Sequence, residues 1–322
     1  MKLRIPRNHK ATSNRQDSFV NTDQTEDVIT VGLASYNRPL LLKRAIESIK
    51  SQTYRNLEIL VSDNGSTDPE VVPLIEEFSA NDPRVMVFLN STNQGPFFNF
   101  QTLLEKATGK YFIWLADDDY WSDSFLENLL FHARQSGAAL TYGKAICVDV
   151  DLPEIAKEIQ STTGCWASLT SFARFDSDSI FYGLFETRTG KLCKSMLREW
   201  YVPEFISRNA SFLKYDFVSY VFIYGLLSTG SFCNASSQQA IHYVGGRPPV
   251  PLSVNIGGRH LLLIVANIFI HLQMLSRMFK VSLLVSSPCG LLLTPVVTLF
   301  FVCRRIATVV AKRIRVRKGE QF

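Results

Sequence analysis

An uninterrupted apolar run, Tyr111-Phe112-Ile113-Trp114-Leu115-Ala116, ends in three consecutive carboxylates, Asp117-Asp118-Asp119, and two aromatics follow, Tyr120 and Trp121. Apolar residues without alternation fit a strand covered on both faces, as in a parallel sheet between helices. Three adjacent like charges at the end of such a strand repel one another and resist loss of water. Two arrangements accommodate them: a solvated acidic turn that caps the next helix, or a divalent cation held among the carboxylates. Mg²⁺ and Mn²⁺ are hard ions that take oxygen ligands, often one or two carboxylates together with substrate phosphates. In an open parallel sheet, ligands lie beyond the carboxyl ends of the strands. Asp117, Asp118 and Asp119 are therefore a candidate metal–diphosphate site.

The residues before this run repeat one rhythm. Val28–Ser35 is a buried strand pattern, and Asn37-Arg38-Pro39 opens a helix with Leu41, Leu42, Ala45, Ile46 and Ile49 at helical spacing. Asn37 is expected to be its N-cap and Pro39 to lie in its first turn. Leu57–Val61 is a second strand, ending in the polar turn Ser62-Asp63-Asn64-Gly65-Ser66-Thr67-Asp68. Asp68-Pro69 opens a second helix, Val85–Leu89 is a third strand, and a helix from about Phe97 to Ala107 precedes the acidic strand. Strand and helix in alternation give a parallel sheet with helices on both faces. No Gly-rich dinucleotide or P-loop pattern accompanies it.

Four features, in order, carry a family resemblance. They are Ala34-Ser35-Tyr36-Asn37-Arg38-Pro39 after the first strand, Ser51-Gln52-Thr53-Tyr54 before the second, Ser62 to Asp68 after it, and Gly109-Lys110-Tyr111 to Asp119. Together they resemble family 2 glycosyltransferases of the GT-A fold. The resemblance implies an α/β, Rossmann-like mixed and mainly parallel sheet between helices, with a helical C-terminal extension. It also implies a nucleotide-binding half at 28–125 and an acceptor half at 126–255, where the likeness is looser.

The resemblance carries roles. Ala34 and Tyr36 would flank a uracil or related base, where an aromatic face is worth about 1–3 kcal/mol by stacking; Tyr36 as a core or turn aromatic is the alternative. Asp63 would accept from the base's ring N–H, or else serve only as a turn-forming Asp before Asn-Gly. Arg38 would reach the diphosphate. Asp117 would serve the ribose, Asp118 would bind Mg²⁺ or Mn²⁺ directly, and Asp119 would support it or be a second ligand. Many relatives place another Asp where this chain has Ala116, so the division of labour is open by one position.

Such enzymes invert by direct displacement, with a carboxylate as general base and a cation as Lewis acid at the leaving diphosphate. The base candidate is Asp216, which follows Phe212-Leu213-Lys214-Tyr215 and opens a helix whose dipole favours the ionised form. Glu204 and Asp178 are weaker competitors, and a structural role suits His242 better. The expected donor is a nucleoside diphosphate sugar, UDP-linked, and the expected acceptor a saccharide or lipid-linked saccharide. A nucleotidyltransferase that makes sugar nucleotides would need a Gly-rich, Arg-Lys-containing loop where this chain has Ala34-Ser35-Tyr36. A non-catalytic membrane-tethered scaffold of the same fold is the third possibility.

The two ends differ from this central part. Residues 1–27 are polar, without the apolar core of a secretory signal, and have the composition of a disordered leader. The six cysteines are scattered, which argues for a reducing compartment rather than a disulfide framework. Residues 256–322 form an apolar and basic tail. His260–Phe279 is apolar almost all round, and Val281–Val302 is nearly uncharged but interrupted by Pro288, Gly290 and Pro295. Ile306, Val309, Val310 and Ile314 then alternate with Lys312, Arg313, Arg315, Arg317 and Lys318, a basic amphipathic pattern suited to anionic lipid at about 1 kcal/mol per basic residue. The expectation is a protein peripheral to or anchored at the cytoplasmic face of a membrane through this tail; a true span across the bilayer and a soluble helical cover are the alternatives. Nucleic acid is not expected as a partner, because the tail carries no recognised binding module.

Overall fold

The computed structural model describes residues 27–148, 160–175, 179–202, 204, 218–235, 240–243 and 260–317. Its centre is a five-stranded sheet in the order β3-β2-β1-β4-β8. The strands are β1 (Ile29–Ser35), β2 (Leu57–Asp63), β3 (Val85–Leu89), β4 (Tyr111–Ala116) and β8 (Phe185–Glu186). The first four are mutually parallel, and β8 runs antiparallel to β4. Helices α1 (Pro39–Ser51), α2 (Val71–Asn81) and α3 (Pro96–Lys106) connect them. Leu42, Ala45, Ile46 and Ile49 of α1 and Val71, Ile75 and Phe78 of α2 are buried, as their spacing predicts. Helix α3 lies so close to β1 that a Cβ on Gly32 would sit 2.7 Å from the Phe112 ring and 3.2 Å from Leu103 Cβ.

The second half adds smaller pieces. Strands β5 (Asp119–Trp121), β7 (Lys144–Cys147) and β10 (Ala240–Tyr243) form one sheet, and β6 (Leu140–Tyr142) pairs with β9 (Phe232–Asn234). Strand β10 runs antiparallel to β5, with Tyr243 opposite Asp119 and His242 opposite Tyr120. The acidic stretch is thereby braced by a segment more than a hundred residues away. Helices α4 (Phe125–Ser136), α5 (Gly164–Phe175), α6 (Thr187–Cys193) and α7 (Val218–Leu227) complete this part. All of α7 is buried. Its Phe222 joins Phe181 and Phe185 around Trp114 of β4, with the Phe181 ring stacked at 4.4 Å. Aromatic pairs of this kind add to what their buried area supplies.

The Ser51-Gln52-Thr53-Tyr54 motif proves to be a staple between the ends of two helices. Gln52, fully buried, accepts the Leu126 N–H through Oε1 at 3.0 Å. Its Nε2 donates to the carbonyls of Ser48 and Ser122 at 3.0 and 2.8 Å. Leu126 is in the first turn of α4, where backbone N–H groups have no partner within the helix; Gln52 supplies one from across the chain. The Thr53 N–H donates to the Asp123 carbonyl, and the Tyr54 hydroxyl to the Asp27 carbonyl. Gln52→Ala leaves the Leu126 N–H and the Ser122 carbonyl buried without it, which is expected to cost about 2–4 kcal/mol in chemical denaturation. Thr53→Ala, at an exposed side chain, is expected to cost less than about 1 kcal/mol.

Three expectations need correction. Asn37 is not the N-cap of α1: Arg38 occupies that place and makes no side-chain cap bond. Asn37 instead adopts φ 53° and accepts the N–H groups of Thr67 and Asp68 through Oδ1 at 2.8 and 3.0 Å. Helix α2 begins at Val71 rather than at Asp68-Pro69. The apolar stretch Val281–Val302 is interrupted at Val285–Ser287 rather than at Pro288, Gly290 and Pro295, which are helical. Helix α8 runs His260–Leu284, breaks at Val285–Ser287 with Ser286 at φ 53°, and α9 runs Pro288–Arg317 with Pro295 inside it. No helix among the described residues is long and apolar enough to cross a membrane. The polar leader, most of the Asp149–Gly164 insertion and the Gly245–Pro251 loop lie outside the described residues.

Candidate active site

The carboxyl ends of β1, β2 and β4 meet in register. Ala34 lies opposite both Ser62 and Ala116, and Ser35 opposite Asp63. Each strand ends as its apolar run gives out, so the polar residues that follow are delivered to one rim. Tyr36 and Arg38 from the first strand, Asp63 from the second and Asp117 and Asp118 from the fourth are gathered there.

Asp117 is the hub. Its buried Oδ2 accepts the Tyr36 N–H at 2.8 Å, and its Oδ1 accepts from Arg38 Nη1 at 3.2 Å. The same Arg38 nitrogen reaches Asp118 Oδ2 at 2.5 Å. Burial pushes the Asp117 carboxyl up to about 6, against the Tyr36 N–H and the Arg38 charge, while the neighbouring Asp118 charge adds to the rise. Burial also works against the Arg38 guanidinium, but the two carboxylates outweigh it and hold its pKa above the usual range. The rim thus gathers the Asp117 and Asp118 carboxylates around the Arg38 guanidinium.

Asp63 is 1% exposed. Its Oδ2 accepts the N–H groups of Gly65 and Ser66, and its Oδ1 accepts the Ser66 hydroxyl at 2.5 Å. This is the turn-forming role, and it leaves lone-pair capacity on Oδ1 for one more donor. Gly65, at φ 73°, brings its backbone against Thr92, where a Cβ would meet Thr92 main chain at 2.6 Å. Tyr36 is exposed and Ala34 half-buried, so a planar group has access to both.

No group of three or more His, Cys, Asp and Glu side chains among the described residues could hold a metal ion. Asp118, 27% exposed at its side chain, stands at the rim. Asp119 is buried at the start of β5, on the face it shares with Trp121. A cation taking one protein carboxylate here would fill its other places with phosphate oxygens and water, which is how Mg²⁺ is commonly held in phosphate sites. Asp118, at the rim, fits that demand.

The structure adds residues that the linear pattern did not single out. Arg44 of α1 donates from Nη2 to the Asp118 carbonyl at 3.2 Å, and its guanidinium lies 4.6 Å from the Tyr120 ring centre. Tyr120 stacks in turn on His242 at 4.5 Å with 5° between the planes. His242 Nε2 lies 3.3 Å from Ser122 Oγ; burial, aided by Arg44, holds its pKa below the usual value. His242 is thus a packing partner of the acidic turn. Asn64 fixes the loop before α3: its Nδ2 donates to Asn93 Oδ1 and the Gly95 carbonyl, and its Oδ1 accepts the Gln94 N–H. A single apolar-helix pattern and an Asn-Gly turn hide Arg44 and Asn64, because their partners are distant in sequence. Of the base candidates, Asp216 and Asp178 lie outside the described residues, and Glu204 is exposed.

Residues 30–194 match the family described as Glycosyl transferase family 2. A GalNAc(5)-diNAcBac-PP-undecaprenol beta-1,3-glucosyltransferase of Campylobacter jejuni is 34% identical over 119 residues, covering 37% of this chain and 38% of the relative. The UDP-Glc:alpha-D-GlcNAc-diphosphoundecaprenol beta-1,3-glucosyltransferase WfaP of Escherichia coli is 30% identical over 116 residues, covering 36% and 45%. The chain thus spans less than half the length of these curated relatives. Among solved structures, S. aureus TarS 1-349 superposes with a TM-score of 0.61 at 15% identity, covering 88% of this chain and 72% of that one. The same fragment in complex with UDP-GlcNAc gives 0.58 at 15% identity, covering 88% and 73%. At that identity the likeness establishes the shared GT-A fold.

Proposed function

The chain belongs to glycosyltransferase family 2, and we propose that it transfers a sugar, with inversion, from a UDP-sugar to a lipid-linked saccharide during surface polysaccharide assembly. The observation that carries this reading is the convergence of Tyr36, Arg38 and Asp117 with Asp63 at one sheet rim. The acceptor class is supported by relatives whose names specify diphosphoundecaprenol-linked saccharides. The donor class is supported by the WfaP relative, named for UDP-Glc, and by a fold neighbour solved with UDP-GlcNAc.

The residues divide the work as follows. Tyr36 and Ala34 frame the base, and the free capacity of Asp63 Oδ1 accepts its ring N–H. Asp117, already fixed by the Tyr36 N–H, orients the ribose. Arg38 leaves its carboxylate pair to meet the diphosphate, an exchange of one anion for another at a half-exposed side chain. Asp118 would hold Mg²⁺ or Mn²⁺, with Asp119 behind it; when bound, such an ion supplies Lewis-acid stabilisation to the leaving diphosphate. A carboxylate from the second half, Asp216, takes the proton of the acceptor hydroxyl.

A thermal-shift screen of sugar nucleotides with and without Mg²⁺ or Mn²⁺ tests this. A shift is expected with uridine nucleotides and a divalent ion together, and a smaller one with either alone. Stabilisation by purine nucleotides with no preference for uridine would overturn the donor assignment.

A further inference from the structure

Helices α8 and α9 form an antiparallel hairpin with two unlike faces. Inward, Met274, Met278 and Val281 of α8 and Leu293, Val297 and Phe301 of α9 are buried. Outward, the positions that should be polar on a surface helix are apolar. Leu272, Phe279 and Leu283 (64% exposed) share one stripe of α8, and Leu292 (71%), Val296 and Leu299 (62%) share one stripe of α9. Three residues, Val285–Ser287, join the helices, so Leu283 and Leu292 bring the two stripes together at the turn. Exposed apolar patches of this kind mark interaction sites.

Charge says what covers this face. From Ile256 to Gly319 the sequence holds no Asp or Glu, against ten Lys and Arg, seven of them at positions 304–318. The net positive charge of the whole chain therefore resides in this segment. An apolar face followed in the chain by a basic stretch without acidic residues complements an anionic lipid surface. A second copy docking through the same hairpin would add like charge to like charge.

The hairpin is also tied to the catalytic rim. Arg277 of α8, its guanidinium 3.8 Å from the Trp200 ring centre, donates to the carbonyls of Arg198 and Glu199. Gln273 exchanges hydrogen bonds with the Tyr201 main chain. Glu199 abuts Gly95, in the loop that Asn64 holds beside Asp63. A surface that binds the outer face of α8 thus has a packed connection to the donor pocket.

We propose that the outer face of the α8–α9 hairpin docks in the interfacial layer of an anionic membrane, lying along it. This gives the lipid-linked acceptor of the proposed function a physical setting and rests on that reading for its purpose, though the docking itself needs no turnover. The test is flotation of the full chain with vesicles of phosphatidylcholine alone or with about one-third phosphatidylglycerol. Binding to the anionic vesicles is expected to be at least about tenfold stronger and to weaken with salt. The triple variant Leu283→Gln, Leu292→Gln, Leu299→Gln changes only exposed side chains. It is expected to lose at least about tenfold of vesicle binding while keeping cooperative unfolding and the uridine-nucleotide shift. Phe131→Ser, at an exposed aromatic of α4, is the control and should bind as the parent does. Unchanged flotation of the triple variant, or no flotation of the parent, overturns the proposal. A parent dimer that the triple variant splits, without vesicle binding, assigns the face to a second copy instead. Vesicle binding with no nucleotide shift overturns the donor assignment and leaves the docking face standing.

Discussion

Asp118→Ala is expected to lower sugar transfer by about a hundredfold or more, the scale of losing one electrostatic stabiliser of a developing charge. The departing nucleoside diphosphate carries that charge, and Asp118 is the rim carboxylate a cation can reach. The same change should erase the divalent-ion dependence of uridine-nucleotide binding. It should not harm the fold. Asp118 is partly exposed, its side chain pairs with Arg38, and its charge adds to the pressure that burial places on Asp117. Removing that charge relieves a repulsion, so thermal stability is expected to hold or rise slightly. Stability and activity therefore move apart, which a merely structural Asp118 would not produce. Metal-dependent nucleotide binding that survives in Asp118→Ala would remove this residue from the cation site and shift the role to Asp117 or Asp119. Full transfer by the variant would leave the chain without its supposed electrophile and favour a different chemistry at the rim.

Much of the first half was legible in the sequence because its strands are predominantly apolar runs. The spans Val28–Ser35, Leu57–Val61 and Val85–Leu89 and the run from Tyr111 match β1, β2, β3 and β4 to within two residues, β2 running on through Ser62 to Asp63. The convergence of Tyr36, Asp63 and Asp117 followed from parallel strands, which deliver their ends to one side. What failed depended on distant partners. Asn37 has the composition of an N-cap, yet its side chain finds the Thr67 and Asp68 N–H groups thirty residues on and leaves α1 uncapped. Arg44, Tyr120 and His242 form one stack from three separated segments, and no local spacing announces it. The break at Val285–Ser287 falls just before Pro288, one of the interruptions the sequence marks; Ser286 adopts positive φ, and the Ser287 N–H turns back to the Ser282 carbonyl. The second half was harder throughout, because two- to four-residue strands such as β6, β8 and β9 carry too little periodicity to be read alone.

Asp216→Asn is expected to lower turnover by about 10²–10⁴-fold, the range of a general base, with uridine-nucleotide affinity unchanged. The base has to accept a proton from the acceptor on the far side of the anomeric carbon from the diphosphate, so it belongs to the acceptor half rather than to the nucleotide-binding strands. Asp216 precedes by two positions the first described residue of α7, a helix buried along its whole length. That helix is anchored to the acidic strand: Phe222 meets Trp114 at 5.1 Å between ring centres, and Trp114 stands three residues before Asp117. Direct displacement demands a base held at a fixed offset from the donor carboxylates. Asparagine keeps the size and removes the proton acceptor, so donor binding is the control and the rate is the readout. The acid limb of the pH–rate profile, which reports the base's ionisation, should disappear with it. If Asp216→Asn turns over normally while Glu204→Gln or Asp178→Asn collapses, the base is the residue that collapsed and the α7 anchoring serves packing alone.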